Sequence, residues 1–160
     1  MKALVTYYSF SGNTDKVAGI FADVIRAAGG SAVMQRLMPR QETKAFLSQC
    51  REAATGKRAE LQDGVNTDVS AYDLVLIGSP VWAFKPTPAV NTFLDKSNGF
   101  HGKKAVVLLT SGSGVGVKGC FAHIRRILQS KGASDIIEIN IPDRKQKDTD
   151  FIKSELKKAL

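Results

Sequence analysis

Ser9, Ser11 and Thr14 set three hydroxyls within six residues, interleaved with Phe10, Gly12 and Asn13. Hydroxyl and amide donors at that density suit an anion, and a glycine among them lets the backbone approach it closely. The stretch has no lysine, so it is not the G-x-x-x-x-G-K-[ST] loop of nucleoside triphosphate sites, and it lacks G-x-G-x-x-G as well. The chemistry that fits is a compact terminal phosphate monoester held by N–H and O–H donors alone. A simple turn with a polar helix cap draws on the same Ser, Asn and Thr, so the stretch by itself leaves both readings open. Asp15 suits the first turn of a helix but repels a bound phosphate, so its side chain is expected to point away.

Two further stretches carry usable groups. Ser79-Pro80-Val81-Trp82-Ala83-Phe84-Lys85-Pro86 holds the single tryptophan of the chain between two stiffening prolines. Residues 111–119 are rich in Gly and Ser and offer backbone N–H groups. A phosphate cradle, an aromatic wall and a rim of small donors suit a molecule with a phosphate tail and a flat polar heterocycle. The plainer alternatives are a packing role for Trp82 and a surface turn for residues 111–119. No compelling acid or base lies in the three stretches. Cys50 and Cys120 lack metal-ligand spacing, and His101 and His123 stand far apart with no acidic or thiol cluster, which argues against a metal site. Cys120 near a helix start admits a stabilised thiolate, but a small core residue is the simpler reading.

The elements that must position these stretches follow from periodicity. Ala3-Leu4-Val5-Thr6-Tyr7 reads as a buried strand, and Val17, Ile20, Phe21, Val24 and Ile25 mark one face of the next helix. A loop between them gathers free amides at the positive end of a helix dipole. Gly29-Gly30 stops that helix, and residues 31–37 form a second strand closed by Pro39. Residues 43–54 predict a helix with Phe46, Leu47, Cys50 and Ala54 inward, followed by a polar connection over 55–67. Residues 72–78 give the strongest strand signal, covered on both faces. Thr87 and Pro88 read as N-cap and first position of a helix with Val90, Phe93 and Leu94 inward. Strand 104–110, a helix with Phe121, Ile124, Ile127 and Leu128 inward, strand 135–141 and a last helix capped by Asp148 complete the chain. Five strands alternating with five helices predict a parallel sheet with helices on both faces, forming one domain over residues 1–160. Ligands of such sheets sit beyond the carboxyl ends of the strands, where the loops 9–14, 79–86 and 111–119 all emerge.

Composition narrows the class. The 160 residues are 43% hydrophobic and 24% charged, ordinary for a globular protein. No apolar run reaches the ~20 residues of a membrane span, and the start of the chain reads as strand rather than signal peptide. These point to a cytoplasmic protein without membrane association. The net charge of +8 is spread along the chain, with the densest run at Arg144-Lys145-Gln146-Lys147. No aromatic–basic interleaving accompanies it, which argues against nucleic acid and leaves a solvated basic surface or an acidic docking partner.

Tyr7-Tyr8-Ser9-Phe10-Ser11-Gly12-Asn13-Thr14 at the end of a first strand resembles the phosphate loop of the flavodoxin family. Gly78-Ser79-Pro80-Val81-Trp82-Ala83 is similar to the family's flavin-flanking loop, and Thr110-Ser111-Gly112-Ser113-Gly114 to its second rim loop. The resemblance covers essentially the whole chain. It implies a flavodoxin-like three-layer α/β sandwich with strand order 2-1-3-4-5 and flavin mononucleotide (FMN) as cofactor. It further implies that Ser9, Phe10, Ser11, Gly12, Asn13 and Thr14 hold the phosphate. Pro80, Val81, Trp82, Ala83 and Phe84 would flank the ring, Trp82 covering one face, and Ser111, Gly112 and Ser113 would meet the pyrimidine edge. The expected role is electron transfer between redox partner proteins, acidic ones in view of the charge, by a monomer or homodimer. An FMN-dependent NAD(P)H:quinone-type reductase is the alternative, and a non-flavin interaction module on the same fold is the third reading. The chain departs from better-known electron carriers of this kind in being basic. It also has no aromatic between Ser111 and Cys120 to serve as a second stacking face, which leaves room for a substrate or nicotinamide.

Overall fold

A computed structural model describes residues 1–41, 51–52 and 55–160. Five strands, β1 (Lys2–Tyr7), β2 (Ser31–Arg36), β3 (Leu74–Pro80), β4 (Lys104–Ser111) and β5 (Asp135–Pro142), form one parallel sheet in the order β2-β1-β3-β4-β5. Four α-helices lie among the described residues: α1 (Asn13–Ala27), α2 (Pro88–Lys96), α3 (Val117–Ser130) and α4 (Thr149–Lys157). The helix expected over residues 43–54 falls outside the described residues, apart from Arg51 and Glu52, which are helical.

Side chains alternate across each strand, so one sheet feeds two cores. Val5, Tyr7, Leu74, Leu76, Val106 and Leu108 pack with Phe21 and Ile25 of α1 and Ile152 and Leu156 of α4. Leu4, Val75, Ile77, Val107 and Leu109 pack on the other side with Phe93 and Leu94 of α2 and Phe121, Ile124 and Leu128 of α3. Burial on both faces explains why β1, β3 and β4 are nearly continuous in apolar residues. The outer strand β2 is mostly exposed.

The register fixes where the loops emerge. Tyr7 lies beside Gly78, and Pro80 beside Thr110, so β1, β3 and β4 end at one edge. Gly78 permits this packing: a Cβ there would stand 2.8 Å from Tyr7 Cβ and 3.3 Å from Thr14 Cγ2. Both boundaries of β3 differ from expectation. Tyr72 and Asp73 precede β3, where the Asp73 carboxylate accepts the Lys2 amide at 2.6 Å. Ser79 and Pro80, expected in the loop, continue the strand. Proline is tolerated at that last position, and the Val81 N–H supplies the next bond, to Thr110 O at 2.9 Å.

Candidate functional site

The hydroxyl-rich loop after β1 turns into α1 at Gly12, whose φ of +87° is a conformation that favours glycine. Gly12 is the N-cap, and no side chain caps the helix. The first turn of α1 therefore presents its amides at the positive end of the dipole without an internal acceptor side chain. Arg36, ending β2, braces the loop by donating to Ser9 O at 2.9 Å. The hydroxyl of Ser9 is buried without a hydrogen-bond partner among the described residues. Asp15 is turned aside as expected: the Tyr7 hydroxyl donates to its carboxylate. Burial, with that hydrogen bond and the Asp15 charge, pushes the Tyr7 pKa up to about 12.

The loop after β3 closes in a tight turn. Trp82 N–H donates to Lys85 O and Lys85 N–H to Trp82 O, both at 3.0 Å. Ala83 and Phe84 at its corners hold φ of +47° and +68°, the positive-φ pair of a type I′ hairpin. Neither is glycine, so the turn is strained by about 1–3 kcal/mol per corner. Ser79 ties the ends of the loop together: its hydroxyl accepts the Thr87 amide at 3.1 Å and donates to Pro80 O at 2.9 Å. Trp82 is only 5% exposed and meets Tyr8 and Phe10 edge to face, at centroid distances of 5.6 and 6.0 Å.

The loops after β1, β3 and β4 enclose a cleft of about 350 Å³, within the usual range for small-molecule sites. Of the residues expected at a binding site, Phe10, Ser11, Asn13, Thr14, Pro80, Val81, Trp82, Ser111 and Gly112 line it together. Five others stand off it. Ser9 backs onto a smaller cavity beside Arg36 and Arg40. Gly12 is the helix cap, and Ala83 and Phe84 form the outer corners of the turn. Ser113 is exposed, its hydroxyl accepting the Val115 amide at 3.3 Å.

Two lining residues lie outside the set expected to bind: Thr110, which opens the motif similar to the second rim loop, and Asp143. Thr110, at the end of β4, shares a 2.8 Å hydrogen bond with the buried Thr14 hydroxyl and so links two of the loops. Asp143 follows β5 and is the one charged residue among the described residues that line the cleft. Gln146 Nε2 donates to its carboxylate, and a Cβ on Gly112 would stand 3.4 Å from its Oδ2. Its position just past a strand end, at the edge where the other loops emerge, was the available signal. Cys120 is fully buried, and burial pushes its thiol up to about 12, so a stabilised thiolate is absent there. His123 Nε2 lies 3.1 Å from Asn91 Oδ1, while Asn91 Nδ2 donates to Pro86 O at 3.2 Å. The Asn91 amide thereby fixes that imidazole nitrogen as the donor. Burial lowers the His123 pKa, helped by the charges of Arg126, Lys85 and Arg58.

Known proteins share this fold. A flavoprotein from Lactobacillus acidophilus, solved in complex with FMN, matches at 24% identity with a TM-score of 0.71, over 92% of this chain and 96% of its own. A candidate flavoprotein from Bacteroides uniformis matches at 22% identity and a TM-score of 0.72, over 98% and 97% of the two chains. Oxidised Flavodoxin 1 from Bacillus cereus matches at 20% identity and a TM-score of 0.63, over 100% and 99%. At these identities the likeness is one of fold. The sequence itself goes further: residues 2–140 match the family model described as Flavodoxin, and the chain belongs to the flavodoxin family.

Proposed function

We propose that the cleft binds FMN and that the protein carries electrons between redox partners. The observation that carries this reading is the uncapped N-terminus of α1 opening onto the same cleft as the indole of Trp82. The amides there, with Ser11, Asn13 and Thr14, fit a dianionic phosphate. The Ser9 hydroxyl, buried in the same loop without a partner among the described residues, is a further donor available to an anion held there. Trp82 and Val81 supply an apolar wall that excludes water from a flat ring. When bound, FMN supplies one- and two-electron chemistry, and the protein supplies binding, orientation and electrostatics. Asp143 is the one ionisable group among the described lining residues; it stands by Gly112, where its carboxylate can accept from a hydroxyl and opposes negative charge on the ring.

A second reading has its own support. Thr110, Ser111, Gly112 and Asp143 line the cleft beside its aromatic residues Phe10 and Trp82, and residues 111–119 hold no aromatic. A wall of small and polar groups there leaves space for a nicotinamide, as an NAD(P)H-dependent FMN reductase requires. Anaerobic stopped-flow mixing of the FMN-loaded protein with NADPH separates the two. Carriage of electrons predicts full bleaching by dithionite and no reduction by NADPH within seconds. Fast, saturable bleaching by NADPH would replace the carrier reading with the reductase one.

A further inference from the structure

We infer that the surface formed by the turn 82–85 and the adjoining face of α3 is a docking site for a redox protein with an acidic surface. The inference rests on the electron-carrier reading and specifies where the partner sits and what charge it bears.

The centre of this surface is apolar and rigid. Phe84 is 59% exposed and Val115 64% exposed, beside the cleft lined by their neighbours Val81, Trp82, Ser111 and Gly112. Phe84 does not swing freely. Its backbone is held by the paired hydrogen bonds of the turn, and its ring lies on a glycine shelf. A Cβ on Gly116 would stand 2.8 Å from Phe84 Cδ1, and one on Gly119 3.6 Å from Phe84 O. An exposed aromatic fixed in advance is a contact whose ordering cost is met before the partner arrives.

The rim is cationic. Gly119, His123 and Arg126 follow one another along one face of α3 at helical spacing. Lys85 and Arg58 converge from the other side, their Nζ and Nη1 lying 3.8 and 4.0 Å from the position of a Cβ on Gly56. Three cations, Arg126, Lys85 and Arg58, act on His123 against one carboxylate, Asp95, which is itself paired to Arg58 at 2.5 Å. Helix α3 contains no Asp or Glu, and Lys118 adds charge in its first turn. An apolar centre with a charged rim is the anatomy of a transient interface, and electron-transfer encounters are small and steered by charge.

The test is a titration of the ¹⁵N-labelled FMN-loaded protein at low salt with a plant-type [2Fe–2S] ferredoxin, a small carrier with an acidic surface. Amide shifts should concentrate at Phe84, Lys85, Val115, Gly116 and Arg126. R126E with F84A should weaken binding at least tenfold. K153E, which makes the same charge change on α4, should alter it less than twofold. Shifts spread over every basic surface, or equal losses from R126E and K153E, would overturn the proposal in favour of attraction by net charge. Saturable movement of these same amides by NADPH, without ferredoxin binding, would assign the surface to a dinucleotide instead. Stopped-flow mixing with reduced ferredoxin reads the underlying role separately. Localised docking with no electron transfer would sink the carrier reading and leave the acidic-protein site standing.

Discussion

Tyr7 and Asp15 show how one side chain protects the chemistry of another. A carboxylate in the first turn of α1 suits the helix dipole and would repel a phosphate in the cleft. The Tyr7 hydroxyl, donating from β1, holds it to one side. The same contact makes the molecule sensitive to alkali. With a folded pKa near 12 against an ordinary value near 10, the unfolded chain releases this proton first. The stabilising contribution is complete below pH of about 10 and disappears as pH rises toward 12. Cys120 has the same sign, since its buried thiol is also raised to about 12. Urea unfolding of the wild type should therefore show a midpoint that falls steadily from pH 9 to pH 11. Tyr7→Phe should flatten part of that slope, and an unchanged slope would show that Tyr7 is not the group responsible.

At the scale of elements, the Thr14–Thr110 hydrogen bond joins the start of α1 to the end of β4 across the cleft. Both residues are buried, so removing one partner strands the other. Thr110→Val should cost about 1–3 kcal/mol of stability, whereas Thr14→Val with Thr110→Val should restore much of it. Urea midpoints of Thr14→Val, Thr110→Val and the double variant decide this, and a double-variant loss equal to the sum of the two single losses would show that the hydroxyl pair is not coupled. The bond also marks the limit of what could be read in the chain. The strands and their order of burial were legible because apolar continuity reports coverage on both faces. Asp148 was legible as a cap, and its carboxylate accepts the Phe151 amide at 3.0 Å. Thr87 takes the N-cap position with Pro88 after it, yet its hydroxyl makes no cap bond and is buried without a partner among the described residues. Position follows from local sequence; the direction of a hydroxyl follows from tertiary packing. For the same reason the three loops were visible as donors and aromatics, Thr110 was visible as the start of a rim motif but not as the partner of Thr14, and Asp143 joined them only through the fold. The turn 82–85 was legible as a loop, but its positive φ angles at Ala83 and Phe84 have no glycine to announce them.

At the scale of the whole molecule, a net charge of +8 accompanies a cleft whose described lining residues include a single carboxylate, Asp143. No helix among the described residues is long and apolar enough to cross a membrane. The division of labour proposed is that the sheet edge binds and the basic rim chooses the partner. Everything in it depends on a phosphate-bearing ring lodging between α1 and Trp82. Trp82 is the only tryptophan, so its fluorescence reports on the cleft directly. Titration of the flavin-free protein with FMN should quench that emission to an endpoint of one FMN per chain, with a Kd of about 1 μM or tighter, while riboflavin, lacking the phosphate, binds at least tenfold more weakly. Emission unaffected by FMN at tens of micromolar, or equal quenching by riboflavin, would contradict the account.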